Sequence, residues 1–476
     1  MKAVCVRALA ASLAASLAAC SLAPHYERPA TAPPSSTYKE AGEWKVSAPA
    51  DTSARGHWWM MFDDPDLDAL EAALTDANQS LKAALARLEQ ARAQTRIARS
   101  DWFPTLTAQA NATRGEVSVY SQGYTPGKTR TGNSFVLSGD LSYEIDVFGR
   151  VRNTVAGARA TEQATAGDVA SLDLSLHAEL ATDYFMLRGL DIEQRFLDQT
   201  VSDYARALQL TENLYKGGAA AVSDLQQAQA QLESARTQAE DTRLHRAQTE
   251  HAIAVLIGRE PTEFSLPARA ADIFPSLPAI DAGLPSQLLE RRPDVAAAER
   301  RVAAANAGIG VARAAYFPVF DLLAGAGAQS GSTATWLTAP AQFWSIGPQV
   351  VLTIFDGGRH AAQSAAAHAS YDEQVANYRG TVLTAYQDVE DNLAAIRQLQ
   401  RETVSQAAAV KATQGALDQA NLRYKGGIVT YLEVVSTQNA ALAARLSAAD
   451  IDIRRATATV QLVKALGGDW NPAAAH

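Results

Sequence analysis

Most of this chain is written twice. Ile97-Ala98-Arg99-Ser100-Asp101-Trp102-Phe103-Pro104 returns as Val311-Ala312-Arg313-Ala314-Ala315-Tyr316-Phe317-Pro318. Glu144-Ile145-Asp146-Val147-Phe148-Gly149-Arg150 returns as Thr353-Ile354-Phe355-Asp356-Gly357-Gly358-Arg359. Leu214-Tyr215-Lys216-Gly217-Gly218 is answered by Arg423-Tyr424-Lys425-Gly426-Gly427, and Leu256-Ile257-Gly258 by Ala465-Leu466-Gly467. The matches keep their order at a separation of about 210 residues, the mark of an internal duplication. Whatever one half folds into, the other must resemble it. Between the halves, Arg259 to Pro293 carries Pro261, Pro267, Pro275, Pro278, Pro285 and Pro293, and cannot be one helix.

Each half repeats one order of elements. A helix of modest length, near Leu81 to Asp101 and near Asp294 to Ala315, stops at Phe-Pro, where proline disfavours a helical residue before it. Two strands follow. In the first half Phe135, Leu137, Gly139, Leu141, Tyr143, Ile145 and Val147 share one face, with Ser134, Ser138, Asp140, Ser142, Glu144 and Asp146 on the other. In the second half Trp344, Ile346, Pro348, Val350, Leu352 and Ile354 alternate likewise. Strands this long could cross a bilayer, and a polar face backing an apolar one suits a water-filled barrel. A soluble antiparallel sheet with one buried face gives the same alternation.

Next comes a very long helical segment, Gly149 to Tyr215 and again Gly358 to Tyr424. Leu172, Leu176, Leu180, Tyr184, Leu187, Leu190, Leu197, Val201, Tyr204, Leu208 and Tyr215 keep helical spacing along the first. At 1.5 Å per residue such a segment spans about 100 Å. The glycine pair breaks it, and a returning helix follows, near Ala221 to Ile257 and near Tyr431 to Leu466. A plain coiled-coil rod would account for these helices but has no use for amphipathic strands. Four strands cannot close a barrel, and an open edge in lipid leaves backbone groups unsatisfied at several kcal/mol each. Several chains must therefore share any barrel; two would give eight strands and three would give twelve.

Composition narrows the function. A hydrophobic fraction of 47% excludes a disordered chain. Mean hydropathy of -0.12, with one short charge-free apolar run from Ala8 to Ala19, excludes a bundle of membrane helices. Two cysteines make neither a disulfide framework nor a four-thiolate metal site, and a net charge of -9 argues against nucleic acid as partner. The cysteines sit at the N-terminus. Lys2 and Arg7 form a positive n-region, Ala8 to Ala19 an apolar h-region, and Leu17-Ala18-Ala19-Cys20 resembles a bacterial lipobox. On that reading residues 1–19 are a signal peptide that carries Cys5 away, and Cys20 becomes a triply acylated anchor. An ordinary signal sequence that ends in cysteine is the simpler alternative. Leu22 to Pro49, rich in Pro, Ser, Thr and Ala, reads as a tether. The many alanines suit helices that touch neighbours on both sides around a hollow tube.

Several motifs together resemble the TolC-like outer-membrane factors of the NodT/OprM lipoprotein branch, exit ducts of tripartite efflux or secretion machines. They are the lipobox, Pro24-His25-Tyr26-Glu27-Arg28-Pro29, Trp58-Trp59 with Phe62 and Asp64-Pro65, Ser142-Tyr143-Glu144-Ile145-Asp146-Val147-Phe148-Gly149-Arg150, Gly283-Leu284-Pro285-Ser286-Gln287-Leu288-Leu289-Glu290-Arg291-Arg292-Pro293-Asp294, and Tyr424-Lys425-Gly426-Gly427. The resemblance implies a mainly α fold with a membrane β-barrel part: a homotrimer with a long α-helical barrel, a shared twelve-stranded β-barrel and an equatorial belt. It divides the chain into a signal peptide (1–19), a lipidated tether and equatorial segment (20–57), a first repeat (58–258), a proline-rich connector in the belt (259–293), a second repeat (294–467) and a tail (468–476). Within the repeats, strands are expected at about 105–147 and 319–356, and long helices at about 149–257 and 358–466. The implied location is the outer membrane, lipid-anchored and extending into the periplasm. The implied partners are two further copies, a periplasmic membrane-fusion adaptor, an inner-membrane pump of RND type and outer-membrane lipid. Protein secretion of type I has the same duct body and is the alternative cargo class; a non-channel scaffold is the remaining one.

The same resemblance places function at the glycine turns. Gly217, Gly218 and Ser223 in the first half, and Gly426 and Gly427 in the second, stand where the family receives the adaptor's hairpin. Glycine lets a partner backbone come close, and a hydroxyl can satisfy its polar groups. A bare helical hairpin would also want glycine there. Asp224, Tyr424, Glu433 and Ser436 stand at the periplasmic entrance. Threefold repetition of Glu433 would make a ring favouring cations. A second acidic position of the family is Ser436 here, and the arginine that ties the closed mouth is Val429, so a purely charge-based gate is weakened. Enzyme chemistry finds no foothold. Gly127-Lys128-Thr129 is P-loop-like, but the required first glycine is Gln122. Gly308-Ile309-Gly310 and Gly325-Ala326-Gly327 have no dinucleotide value, and His245 and His251 do not share a helix face. Apart from the lipid on Cys20, no cofactor or metal is expected.

Overall fold

The computed structural model describes residues 22–31, 38–41, 57–116, 118, 120, 131–269, 274, 277–278 and 292–468. The signal peptide, Cys5, Cys20, the P-loop-like segment with Gln122 and Gly127-Lys128-Thr129, most of the Gly283 to Asp294 run and the tail after Gly468 lie outside them. The chain divides into two units: residues 1–30, 87–165 and 297–378, and residues 31–86, 166–296 and 379–476.

The elements repeat, as a duplicated sequence requires. After α1 (Pro65–Ala77) come α2 (Gln79–Ser100), β1 (Thr105–Glu116), β2 (Thr131–Glu144), α3 (Arg150–Lys216) and α4 (Val222–Leu256). The second half gives α5 (Pro293–Ala314), β3 (Val319–Ser330), β4 (Gln342–Val351), α6 (Arg359–Lys425) and α7 (Tyr431–Ala465). The long helices α3 and α6 have 67 residues each, and the returning helices α4 and α7 have 35 each. Both long helices start by the same device. The Asp146 carboxylate accepts from the amides of Val151 and Arg152, and that of Asp356 from Gly358, Arg359 and His360. A carboxylate there satisfies orphan donors and the positive end of the helix dipole.

In the first unit the strands form one antiparallel sheet in the order β1-β2-β3-β4, leaving β1 and β4 as edges. The register sets Asp140 opposite Thr107 and Gly325, and Leu141 opposite Leu106 and Ala324. One face therefore carries Thr107, Gln109, Ser138, Asp140, Ser142, Asp321, Ser345 and Gln349; the other carries Leu106, Ala108, Leu137, Leu141, Leu322, Ala324, Trp344 and Ile346. The apolar face is open: Trp344 is 77% exposed, Leu106 75% and Ile346 64%. A half-buried soluble sheet would have covered these side chains, because leaving each in water forfeits about 1.5–3 kcal/mol. The strands run 12, 14, 12 and 10 residues, enough to cross a bilayer at a tilt. They stop earlier than their alternation suggests, at Glu144 and Val351. Ile145, Val147, Leu352 and Ile354 fall in the turns that lead into α3 and α6, where the Asp caps redirect the backbone.

In the second unit the middle of α3 is deeply buried. Leu180, Ala181, Tyr184, Phe185 and Leu187 have no exposure. Phe62 packs at a tilt against Phe185 with centroids 4.8 Å apart, and Trp59 stacks on His177 at 4.4 Å. Arg269 of the connector grips Asp64 through two bonds of 2.8 and 2.6 Å, and Tyr184 donates to the same carboxylate at 2.7 Å. These bonds fasten the N-terminal segment and the connector to α3. Small residues make the helix seams: Ala228, Ala235 and Ala239 are buried along α4. A Cβ on Gly189 of α3 would stand 2.1 Å from Ile453 of α7, so no side chain fits there.

Candidate functional site

Both glycine turns belong to the second unit, and they share one backbone. Gly218 has φ +74° and Gly427 φ +70°, the left-handed region in which glycine avoids a Cβ clash. Around Gly218, Gly218 N donates to Tyr215 O at 2.9 Å and Ala219 N to Leu214 O at 2.8 Å. Around Gly427, Gly427 N donates to Tyr424 O at 2.9 Å and Ile428 N to Arg423 O at 2.9 Å. This is the Schellman closure, which satisfies the carbonyls left over at a helix end. Gly217 and Gly426 each donate to the carbonyl four residues back, at 3.0 and 3.1 Å. All four glycines are exposed, and open space surrounds any Cβ on Gly218 or Gly427. Backbone conformation alone demands glycine at those two positions.

The turns are held together from inside. Ala228, Ala420, Tyr431, Val434 and Val435 form a buried cluster, with Ala207, Leu208 and Tyr424 packed against it. Tyr424 and Tyr431 meet at 5.6 Å between ring centroids. Burial pushes the Tyr424 hydroxyl above its ordinary pKa against the hydrogen bond with Thr211, and the nearby Asp224 carboxylate adds to the rise. Burial likewise raises Tyr431 to about 12. Both phenols therefore stay neutral, as packing posts rather than charged groups. Next to them a cleft of about 470 Å³ opens between α3, α6 and α7, lined by Tyr204, Tyr424, Tyr431, Asp203, Gln414 and Arg445.

The acidic positions differ in what they hold. Asp224 and Glu433 occupy the same place, the third residue of α4 and of α7. The Asp224 carboxylate accepts from its own helix's Ala221 N at 3.4 Å, a partial cap. Glu433 instead accepts from Arg423 Nη1 at 2.8 Å, across the turn. Sequence reading singled out Glu433 but passed over Arg423, having looked for the tying arginine at Val429. The available signal was a cation and an anion ten residues apart, flanking a Gly-Gly turn that folds the chain back on itself. The counterpart of Arg423 in the first half is Leu214, so the tie is private to the second. Ser223 is exposed on the first turn of α4 and Ser436 on the second turn of α7. Tyr215, Val222, Leu422, Ile428 and Leu432 are also exposed and rim the two turns with apolar surface. Among the described residues no group of three or more His, Cys, Asp and Glu side chains is placed to hold a metal.

The sequence profile of the family described as outer membrane efflux protein matches residues 70–259 and 284–468, one segment per repeat. The outer membrane protein OprJ of Pseudomonas aeruginosa is 33% identical over 461 residues, covering 96% of this chain and 95% of that protein. The toluene efflux pump outer membrane protein TtgC of Pseudomonas putida is 32% identical over 463 residues, covering 95% and 93%. Among solved structures, the CmeC outer membrane channel of Campylobacter jejuni superposes with a TM-score of 0.89 at 25% identity, covering 95% of this chain and 96% of that one.

Proposed function

The chain belongs to the outer membrane efflux protein family, and from that premise we propose that it is the lipid-anchored exit duct of a tripartite efflux system for small toxic molecules. As a family member it is an outer-membrane channel, a passive duct rather than a catalyst. The observation that carries the reading is the sheet: its apolar face is uncovered and both its edges are open. Three copies would close twelve strands, give each apolar face to lipid and line the lumen with Thr107, Gln109, Ser138 and Asp140. Small-molecule cargo is favoured over protein by the likeness to TtgC, a toluene efflux pump component. The test is twofold. Purified protein in planar bilayers should conduct ions as a trimer, and deleting the gene should sensitise the cell to small toxic compounds. A deletion strain that loses only secreted proteins would move the reading to type I secretion.

Partners follow from the tips. The apolar rim of Val222, Ile428 and Leu432 suits a periplasmic adaptor's helical hairpin, with Gly217, Gly218, Gly426 and Gly427 allowing close approach and Ser223 able to satisfy a backbone group. An RND-type inner-membrane pump would supply the energy. Glu433, repeated threefold, would set cation preference at the entrance, with Asp224, Tyr424 and Ser436 beside it. The lipid anchor is assigned to Cys20 from Leu17-Ala18-Ala19-Cys20 and the apolar run before it. The mass of the N-terminal peptide of the mature protein tests it.

A further inference from the structure

Near the middle of α3, in the second unit, side chains of α3, α6 and α7 leave a groove of about 620 Å³, well away from the glycine turns. Met186 and Leu190 of α3, Ala395 and Leu399 of α6, and Ile453 and Ala458 of α7 give it an apolar lining. Leu190, Leu399, Ile453 and Ala458 are buried, whereas Met186 is 38% exposed. A groove of this size suits a drug-sized molecule, and an unbranched thioether at its edge adapts to bodies of different shape. The rim is unbalanced in charge. Arg454 donates to Glu402 at 3.2 Å and pairs with Asp450 at 2.9 Å, so the one cation of the lining is shared between two carboxylates. The third carboxylate, Glu193, is half-buried and has no hydrogen bond or ion pair among the described residues. Burial, and after it the Asp450 charge, pushes the Glu193 pKa up, which His245 offsets only in part. A carboxylate drawn out of water without a counter-charge is costly, and a bound cation relieves that cost.

Helical phase tells which way the groove opens. On α3, Met186, Leu190 and Glu193 lie opposite Tyr184, Arg188 and Asp191, which bond Asp64, Asp66, Pro267 and Arg269. On α6, Ala395, Leu399 and Glu402 lie opposite Glu390 and Arg397, which hold Lys39 and Glu40. The N-terminal segment and the connector thus cover one side of these helices, and the groove opens on the other. On α7, Arg454 and Gln461 follow Glu433 at multiples of seven residues, and Asp450 and Thr457 follow Ser436 likewise. In a coiled helix such positions form one stripe, so the groove continues the stripe of the entrance residues. A duct whose mouth is lined by Glu433 has this groove on its bore.

We propose that the groove is a binding site, inside the duct, for organic cations with an apolar body, in which Glu193 holds the charge and Met186, Leu190 and Leu399 hold the body. The site names the cargo class that the duct retains on its way out. It rests on the reading of the chain as a small-molecule duct, and one experiment separates the two.

The full-length protein is inserted in planar bilayers, and block of its conductance by tetrabutylammonium, one charge in an apolar body, is measured. The parent should conduct and be blocked, with tetramethylammonium, which has the charge without the body, needing about tenfold higher concentration. Glu193→Gln keeps the shape and removes the charge, and should raise the half-blocking concentration of tetrabutylammonium about tenfold. Met186→Trp fills the groove and should raise it by a similar factor. Native gels should show both oligomers intact, so that lost block reports the groove and not unfolding. Equal block of parent and both variants overturns the site. Block that falls with Glu433→Gln but not with Glu193→Gln belongs to the entrance and overturns it as well. A Met186→Trp oligomer that dissociates would make the groove a seam between copies, which also overturns it. A parent that conducts nothing overturns the duct reading, whereas a parent that conducts without being blocked overturns the groove alone.

Discussion

The two repeats have the same skeleton and different attachments. Helices of 67 and 35 residues recur, and the turns after Lys216 and Lys425 close with the same hydrogen bonds. Side chains, by contrast, have diverged wherever something touches only one repeat. On α3, His177 is buried against Glu71 and Trp59; the residue equally far from the start of α6 is Tyr386. At the turns, the first-half acid caps its own helix while the second-half acid reaches back to an arginine. Duplication thus preserves what each repeat needs for itself, namely backbone closure and seams. The contacts that differ are made by side chains, to a segment that only one repeat meets, as at His177, or across a repeat's own turn, as at Glu433.

Substitution at the shared glycines probes the common skeleton and should have the largest effect. Gly218→Val and Gly427→Val place a β-branched residue in the left-handed region, at a cost of roughly 1–2 kcal/mol each, with no clash from neighbours. Trimer and membrane location should survive. Tolerance to exported compounds should fall at least tenfold, toward that of a deletion strain, for both variants. Equal losses would mean that both turns are used in docking; a loss at one turn would show that the repeats are read differently; unchanged tolerance in both would remove the docking reading.

The next largest effect is private to the first repeat. Glu71 is fully buried, and His177 Nδ1 lies 2.5 Å from its carboxylate, with Asp173 at 3.5 Å from Nε2. Burial opposes the charge on His177, but the hydrogen bonds to Asp173 and Glu71 outweigh it and hold its pKa up at about 9. Because that value lies above the unfolded one, the stabilisation is complete below about pH 6.5 and is lost as pH rises through 9. Burial also raises Glu71 to about 7, which acts in the same direction. Glu71→Ala, which strands a buried cation, should destabilise by about 3–5 kcal/mol. Thermal unfolding of the parent should show a midpoint that falls between pH 6.5 and 9. His177→Gln should flatten that slope, and Tyr386→Phe in the second repeat should leave it alone. Because Glu71 contributes in the same direction, a slope that survives Glu71→Gln combined with His177→Gln would assign the pH dependence elsewhere.

The entrance charges follow, with an effect on selectivity rather than stability. Arg423 and Glu433 are about half exposed, so their pair is worth no more than about 1 kcal/mol. Its removal should barely change unfolding. In bilayers, Arg423→Ala should strengthen cation preference by freeing three carboxylates, and Glu433→Gln should weaken it. Reversal potentials in a salt gradient that shift the same way in both variants would rule out an entrance ring set by Glu433.

How much of this could be read from sequence follows from the range of each interaction. The repeats, the Phe-Pro stops and the Gly-Gly turns are local signals, and the elements lie within a few residues of where those signals put them. The alternation of Phe135 to Tyr143 also predicted two faces, but alternation cannot say whether the apolar face is covered; that needed the exposure of Leu106, Trp344 and Ile346. It also ran past the strand ends, since Ile145 and Ile354 keep the period although the Asp146 and Asp356 caps have already turned the chain. Pairs such as Glu71 with His177, or Tyr26 with Glu299, join residues more than one hundred positions apart and leave no periodic trace. Arg423 could have been found. It lies one helix end away from Glu433, and the turn between them was already recognised.

The smallest effect isolates what duplication did to the acid itself. Asp224 is half-buried and accepts one long bond from Ala221 N, so Asp224→Asn should cost a few tenths of a kcal/mol and leave cation preference nearly unchanged. Its neighbourhood lacks the arginine, because Leu214 stands where the second repeat has Arg423. Leu214→Arg would supply it on an identical backbone. If the Schellman geometry alone decides who can reach across the turn, the new guanidinium should pair with Asp224, and Leu214→Arg should then reduce cation preference less in the parent than in an Asp224→Asn chain, where the added cation stands unpaired. A Leu214→Arg channel whose selectivity ignores Asp224 would mean that the extra methylene of Glu433, and not the turn, makes the second-half tie possible.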